Sequence, residues 1–146
     1  MDRTKGFGVN LDKTLKKIQQ VYVKEFERNH INITIEQWVI LQKISQLGKD
    51  ATQASIVQSN YRNRATTSRL ISALCEKGMI IKKRKSDYPN RFKLLLTQKG
   101  SELINKAPPI VENLRIIAYN DIRKKDFEVF LEVLDKLWNN YDKYFD

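Results

Sequence analysis

The chain has 146 residues, 41% of them hydrophobic and 30% charged, which suits one packed domain with helical extensions and excludes a disordered chain. Lysine and arginine outnumber aspartate and glutamate by 27 to 17, and the net charge of +10 favours an anionic partner, either nucleic acid or a membrane surface. A single cysteine, Cys75, and a single histidine, His30, leave no intrachain disulfide, no zinc-ligand cluster and no Cys/His nucleophile pair, so no metal or other cofactor is expected.

Met1 to Gly8 is polar and lacks an apolar signal core. No apolar run approaches the ~20 residues that span a bilayer, so the expected location is the cytoplasm. Leu11, Leu15, Ile18, Tyr22 and Phe26 recur at helical spacing and predict an amphipathic helix from about Val9 to Arg28. So apolar a face on a terminal helix must cover the rest of the chain or a partner. Thr34 stands three residues before Gln37, the spacing of a capping box. It opens a second helix carrying Ile35, Trp38, Val39, Leu41 and Ile44, which Gly48 ends.

Thr52 precedes a short helix, Gln53 to Ser59, with Ile56 and Val57 on its inner side. A break at Asn60 to Arg62 follows. Asn63 then caps a helix from Arg64 to Lys77, closed by Gly78, with Leu70, Ile71 and Leu74 turned inward. Two short helices around a tight break predict a helix-turn-helix. Met79 to Arg84 and Arg91 to Leu96 read as strands joined by the turn residues Ser86 to Asn90, a hairpin or wing. Thr97 caps a helix from Gln98, whose stripe from Leu103 to Ile117 crosses Pro108 and Pro109, where a kink or restart is expected. The last helix holds Phe127, Phe130, Leu131, Leu134, Leu137, Trp138 and Tyr141. The expected architecture is mainly α with a small β-hairpin. One domain spans 1–146: a winged helix-turn-helix lobe (34–97) between helical extensions (9–30 and 98–146).

Charge is concentrated within this plan. Between Arg62 and Lys93 ten basic residues face only two acidic ones, Glu76 and Asp87, a surplus of eight. The second helix of the helix-turn-helix begins with Asn63, Arg64, Thr66, Thr67, Ser68 and Arg69, the end that meets base edges in helix-turn-helix readers. Arginine pairs with guanine in bidentate fashion, and threonine bonds a base or touches a thymine methyl. At 100° per residue, Arg64, Thr67 and Ser68 are expected to share the reading face. Asn63 serves either as a reader or only as the cap. Lys82, Lys83, Arg84 and Lys85 on the wing, with Arg91 on its return strand, are candidates for phosphate or minor-groove contact. The plainer alternative for the wing is charge that solubilises an edge hairpin. No acid/base pair, nucleophile triad or phosphate-cradling loop is visible, so an enzyme is not expected.

Four segments resemble the MarR family of bacterial regulators: Ile33 to Trp38, Thr52-Gln53, Arg64 to Leu74 followed by Lys77-Gly78-Met79-Ile80, and Leu96 to Gly100. In order and at compatible spacing they make a fairly specific match, and the flanking amphipathic helices extend it over nearly the whole chain. The resemblance implies a triangular homodimer interlocked by its terminal helices. Leu11, Leu15, Ile18, Leu134, Leu137, Trp138 and Tyr141 are then dimerisation residues. It also implies double-stranded DNA with a pseudo-palindromic operator as partner, repression, and release by a small-molecule effector. The chain departs from the family pattern in three places. Asn60 and Tyr61 replace the usual aliphatic residue and glycine of the turn. Asp87 to Arg91 is about one residue out of step with Leu96-Thr97. Cys75 sits late in the recognition helix, where it reads as a semi-buried filler and not a redox switch. The competing class is a winged-helix protein-interaction scaffold without ligand sensing.

Overall fold

The computed structural model describes residues 2, 4–59, 62–85 and 88–144, and only the backbone of 85 and 88–91. Asn60, Tyr61, Ser86 and Asp87, which fall in the two expected turns, lie outside the described residues. The chain falls into two compact units, Met1–Val111 and Glu112–Asp146. The described residues are mostly helical, with one two-stranded antiparallel sheet.

In the first unit, helix α1 (Phe7–Arg28) buries only Phe26. That ring meets Tyr22 edge-on at 5.8 Å and Trp38 at 6.5 Å, tying the end of α1 to α2 (Ile35–Leu47). Asn29 caps α1, and His30 takes φ 58°, the left-handed stop that glycine usually fills. The capping box of α2 forms as its spacing predicts. Thr34 Oγ1 accepts from the Gln37 N–H and Gln37 Oε1 accepts from the Thr34 N–H, each at 3.1 Å. The same Gln37 oxygen accepts from Lys77 Nζ at 2.9 Å.

After Gly48 and a single 3₁₀ turn come α3 (Gln53–Ser59) and α4 (Arg64–Glu76). Both begin where the polar residues predict. Thr52 and Ser55 exchange bonds at the start of α3, at 2.8 and 3.0 Å. Asn63 Oδ1 accepts from the Thr66 N–H at 2.8 Å at the start of α4. Helices α2, α3 and α4 pack around Trp38, Leu41, Ile44, Ile56, Ile71 and Leu74, all buried.

Strand β1 (Ile80–Lys85) pairs with β2 (Tyr88–Leu96) in a register running from Ile80 opposite Leu96 to Arg84 opposite Phe92. The register then shifts, so that Lys85 lies opposite Tyr88. This corrects the expected turn at Ser86 to Asn90. Residues 88–90 belong to β2, and the irregular pairing takes up Pro89, which has no N–H to give to a ladder. The hairpin is fastened to the helices through the Leu94 N–H, which donates to the Ala51 carbonyl at 2.9 Å.

Helix α5 (Gln98–Ala118) starts where Thr97 Oγ1 accepts from the Gly100 N–H at 3.1 Å and donates to the Gly78 carbonyl at 2.6 Å. A side chain on Gly100 has no room, since its Cβ would stand 2.1 Å from the Met79 carbonyl oxygen. The expected interruption at the prolines is also corrected. The α-helix runs through Pro108 and Pro109 without a break. Both prolines are exposed, and each leaves the carbonyl four residues back without an intrahelical donor. The second unit holds the end of α5 and helix α6 (Lys124–Tyr144). Within it Tyr119, Phe127 and Phe130 form a short aromatic row, with centroids 4.4 and 5.9 Å apart.

Gly100→Ala is expected to lower the unfolding free energy by about 1–3 kcal/mol, the cost of overpacking against fixed backbone. Gly8→Ala, a helical position with open space around it, should leave stability unchanged or raise it by up to about 1 kcal/mol. Urea unfolding followed by circular dichroism compares the two.

Candidate nucleic-acid interface

The rotation of α4 about its axis decides which polar side chains face outward. Thr67, Ile71 and Leu74 follow at spacings of four and three, and all three are 0% exposed. The structure corrects the expectation that Thr67 lies on the reading face. Its methyl joins the inward stripe, and its Oγ1 donates to the Asn63 carbonyl at 3.0 Å. With that stripe inward, the exposed positions at the start of α4 are Asn63, Arg64, Ala65 and Arg69, with Ser72 one turn further on. Thr66 and Ser68 are half-buried. Asn63 acts as the cap. Arg69 Nη2 donates to Thr66 Oγ1 at 3.3 Å.

Ser68 is held by a residue that sequence reasoning does not select. Gln53 Nε2, at the start of α3, donates to Ser68 Oγ at 2.8 Å. No local spacing rule reports a bond between side chains fifteen residues apart. Beside it, Thr52, Gln53, Ala54, Val57, Arg64, Lys82 and Phe92 line an open cleft of about 330 Å³. The cleft brings together Arg64 from α4 and Lys82 from β1, with Ala54, Val57 and Phe92 as its apolar lining.

Lys82, Lys83 and Arg84 are exposed on β1. Arg84 lays its guanidinium 5.9 Å from the centre of the Phe92 ring on the facing strand, which restrains an otherwise mobile cation. For Lys85 and Arg91 only the backbone is described, with Arg91 in the irregular stretch of β2. Not every basic residue of the charged segment belongs to this face. Lys77, at the far end of α4, is turned to Gln37, and Arg62 lies 3.6 Å from Glu36, an acid outside the segment that the charge pattern does not weigh.

The remaining candidates take different places. Cys75 is half-buried against the core, and burial pushes its thiol above the ordinary value while the charge of Lys82 pulls the other way less strongly. Leu11, Leu15 and Ile18 on α1 are exposed. On α6, Trp138 and Tyr141 are exposed at 56% and 59%, while Leu134 and Leu137 are half-buried. Among the described residues no helix is long and apolar enough to cross a membrane, and no group of three or more His, Cys, Asp or Glu could hold a metal ion.

Comparison with known proteins bears on the fold. The MarR family model matches residues 33–87, from the start of α2 to the wing. Among solved structures, the organohalide-sensing transcriptional regulator RdhR with 2,4-dichlorophenol bound has a TM-score of 0.87 at 19% identity, over 96% of this chain and 82% of that one. The Staphylococcus aureus MepR–DNA complex has a TM-score of 0.83 at 19% identity, over 92% and 97%. A MarR/EmrR family regulator from Acinetobacter sp. ADP1 has a TM-score of 0.80 at 17% identity, over 98% and 99%. The MarR family model therefore covers residues 33–87, and the chain as a whole has the winged-helix fold of these solved regulators.

Proposed function

We propose that the protein is a homodimeric, cytoplasmic, non-enzymatic regulator that binds double-stranded DNA at a pseudo-palindromic operator, represses, and lets go when a small molecule binds. One observation carries the DNA reading. The exposed start of α4 and the basic strand of the wing border the same cleft, so Arg64 and Lys82 approach one surface together. A helix end that reads bases, flanked by cations that hold phosphates, is how such lobes bind duplex DNA. The likeness to MepR, solved with DNA, supports this reading, and the likeness to RdhR, solved with a chlorophenol, supports ligand control. The scaffold alternative gains nothing from the structure, because solubilising charge has no reason to gather around one cleft.

In this reading residues 9–30 and 98–146 are the dimerisation helices and 34–97 the DNA-binding lobe. Leu11, Leu15, Ile18, Trp138 and Tyr141 are left exposed by the single chain, and so are Leu131 and Val133. Apolar surface on that scale marks an interface.

Arg64→Ala or Arg69→Ala should cost specific binding about 1–3 kcal/mol for each bond to a base edge that is removed, and should blur preference at definite operator positions. Lys82→Ala, Lys83→Ala and Arg84→Ala should weaken all duplexes alike and flatten the slope of log K against log salt by about one unit per phosphate neutralised. Thr67→Ala should lower stability and leave base preference unchanged. Salt titration on selected and random duplexes checks all three. Loss of base preference in the wing variants alone would invert the assignment.

The dimer is expected to bury above roughly 2,000 Å² in total, the size of an obligate interface. Leu15→Asp and Trp138→Asp should then yield monomer or aggregate in sedimentation at micromolar concentration. A stable wild-type monomer at that concentration refutes the dimer.

With its thiol held protonated by burial, Cys75 should alkylate slowly at pH 7. Cys75→Ser should leave the response of DNA affinity to mild peroxide unchanged. Peroxide-dependent release that disappears in this variant would restore a redox role.

A further inference from the structure

Among the described residues, every ion pair but one joins neighbours three or four positions apart. The exception is Arg62–Glu36, at 3.6 Å, which joins the helix-turn-helix turn to the first turn of α2. The pair is also partly withdrawn from solvent, with the Arg62 side chain 19% exposed and that of Glu36 35%. Glu36 Oε1 is the shared atom, since it also accepts from Gln19 Nε2 on α1 at 3.2 Å. Glu36 stands in the first turn of α2. Arg62 directly precedes Asn63, whose side chain caps α4. A single carboxylate oxygen thus connects α1, α2 and the residue that leads into the recognition helix.

Two effects follow for DNA binding. The tie restrains the residue just before the α4 cap, two positions from Arg64. It also turns one cation of the basic segment toward a carboxylate and away from the DNA-facing cleft, which Arg62 does not line. A cation free to meet phosphate raises affinity for every duplex equally and so lowers discrimination.

We propose that Glu36 is a positioning residue for sequence-specific binding: it holds Arg62 against α2, through a carboxylate that α1 also bonds, steadying the entry to the recognition helix and withholding one sequence-independent phosphate contact. This rests on the DNA-binding reading above.

The test is a salt titration on random and selected duplexes with wild type, Glu36→Gln, Arg62→Gln, the double variant and Glu76→Gln. Glu76 is an exposed acid at the far end of α4, so its variant carries the same change of charge. Glu36→Gln is expected to steepen the salt slope by about one unit and to raise random-duplex affinity up to roughly eightfold at 0.1 M salt. The ratio of selected to random binding should fall with it. Glu76→Gln should change the slope less. In the Arg62→Gln background, Glu36→Gln should no longer steepen it. Arg62→Gln alone should keep the wild-type slope, because that cation is already withheld. This last expectation does not depend on the Glu36 variant folding.

A Glu36→Gln slope equal to that of Glu76→Gln overturns the proposal and leaves DNA binding intact. So does an Arg62→Gln slope flatter than wild type by about one unit, which would place Arg62 on phosphate in the native complex. A drop in melting temperature with no change of slope assigns Glu36 a structural role only and also overturns it. Absence of salt-dependent duplex binding by the wild type removes the DNA reading itself.

Discussion

A helix proposed to read DNA must be anchored on one side and bare on the other, and the angle between the two sides is set by its buried residues. In α4 those residues are Thr67, Ile71 and Leu74, each without solvent exposure. At 100° per residue they occupy a narrow arc, and residues opposite it, Ala65, Arg69 and Ser72, project outward. Arg64 shares the inward side in angle but lies beyond the end of the core, so it stays exposed and borders the cleft with Lys82. Together the three anchors set the helix's seating and, with it, which residues face outward. The polar side chains can be exchanged at the surface only because this seating is independent of them.

The basic segment divides into groups with different physical settings. Lys82, Lys83 and Arg84 are solvated on the wing, with Arg84 steadied over Phe92. Arg62 and Lys77 are directed to Glu36 and Gln37, side chains of α2. Partly exposed ion pairs contribute about 0–1 kcal/mol to stability, so the Arg62–Glu36 pair adds little to the fold. Its weight lies in orientation, since it determines where a cation points. Net charge alone overstates the number of cations available to one surface.

Most of the element plan is legible in the sequence, because the caps are local chemistry. Thr34 with Gln37, Asn63, Thr97 and the glycines at 48 and 78 each mark a boundary found within a residue or two. The departures have a common cause. The hydroxyl of Thr67 groups it with the polar readers, yet its spacing from Ile71 and Leu74 is that of the core, and a bond to the Asn63 carbonyl four residues back lets the hydroxyl be buried. Pro108 and Pro109 carry the expectation of a break in α5, but both rings lie on the exposed side of the helix, where they displace no core side chain. The Gln53–Ser68 bond and the Glu36 tie join residues far apart in sequence, and no periodicity encodes such pairs.

The Gln37 side-chain oxygen Oε1 serves two partners, the Thr34 N–H within the capping box and the Lys77 ammonium at the end of α4. Considered as heritable variation, positions 34, 37 and 77 therefore form one linked character. A substitution that satisfies the capping rule by itself, such as Gln37→Glu, would also place a second charge beside Lys77 at a site that is 8% exposed. Sequence drift at the start of α2 is thus constrained by a residue forty positions away, and changes there should accumulate in compensating sets, not singly.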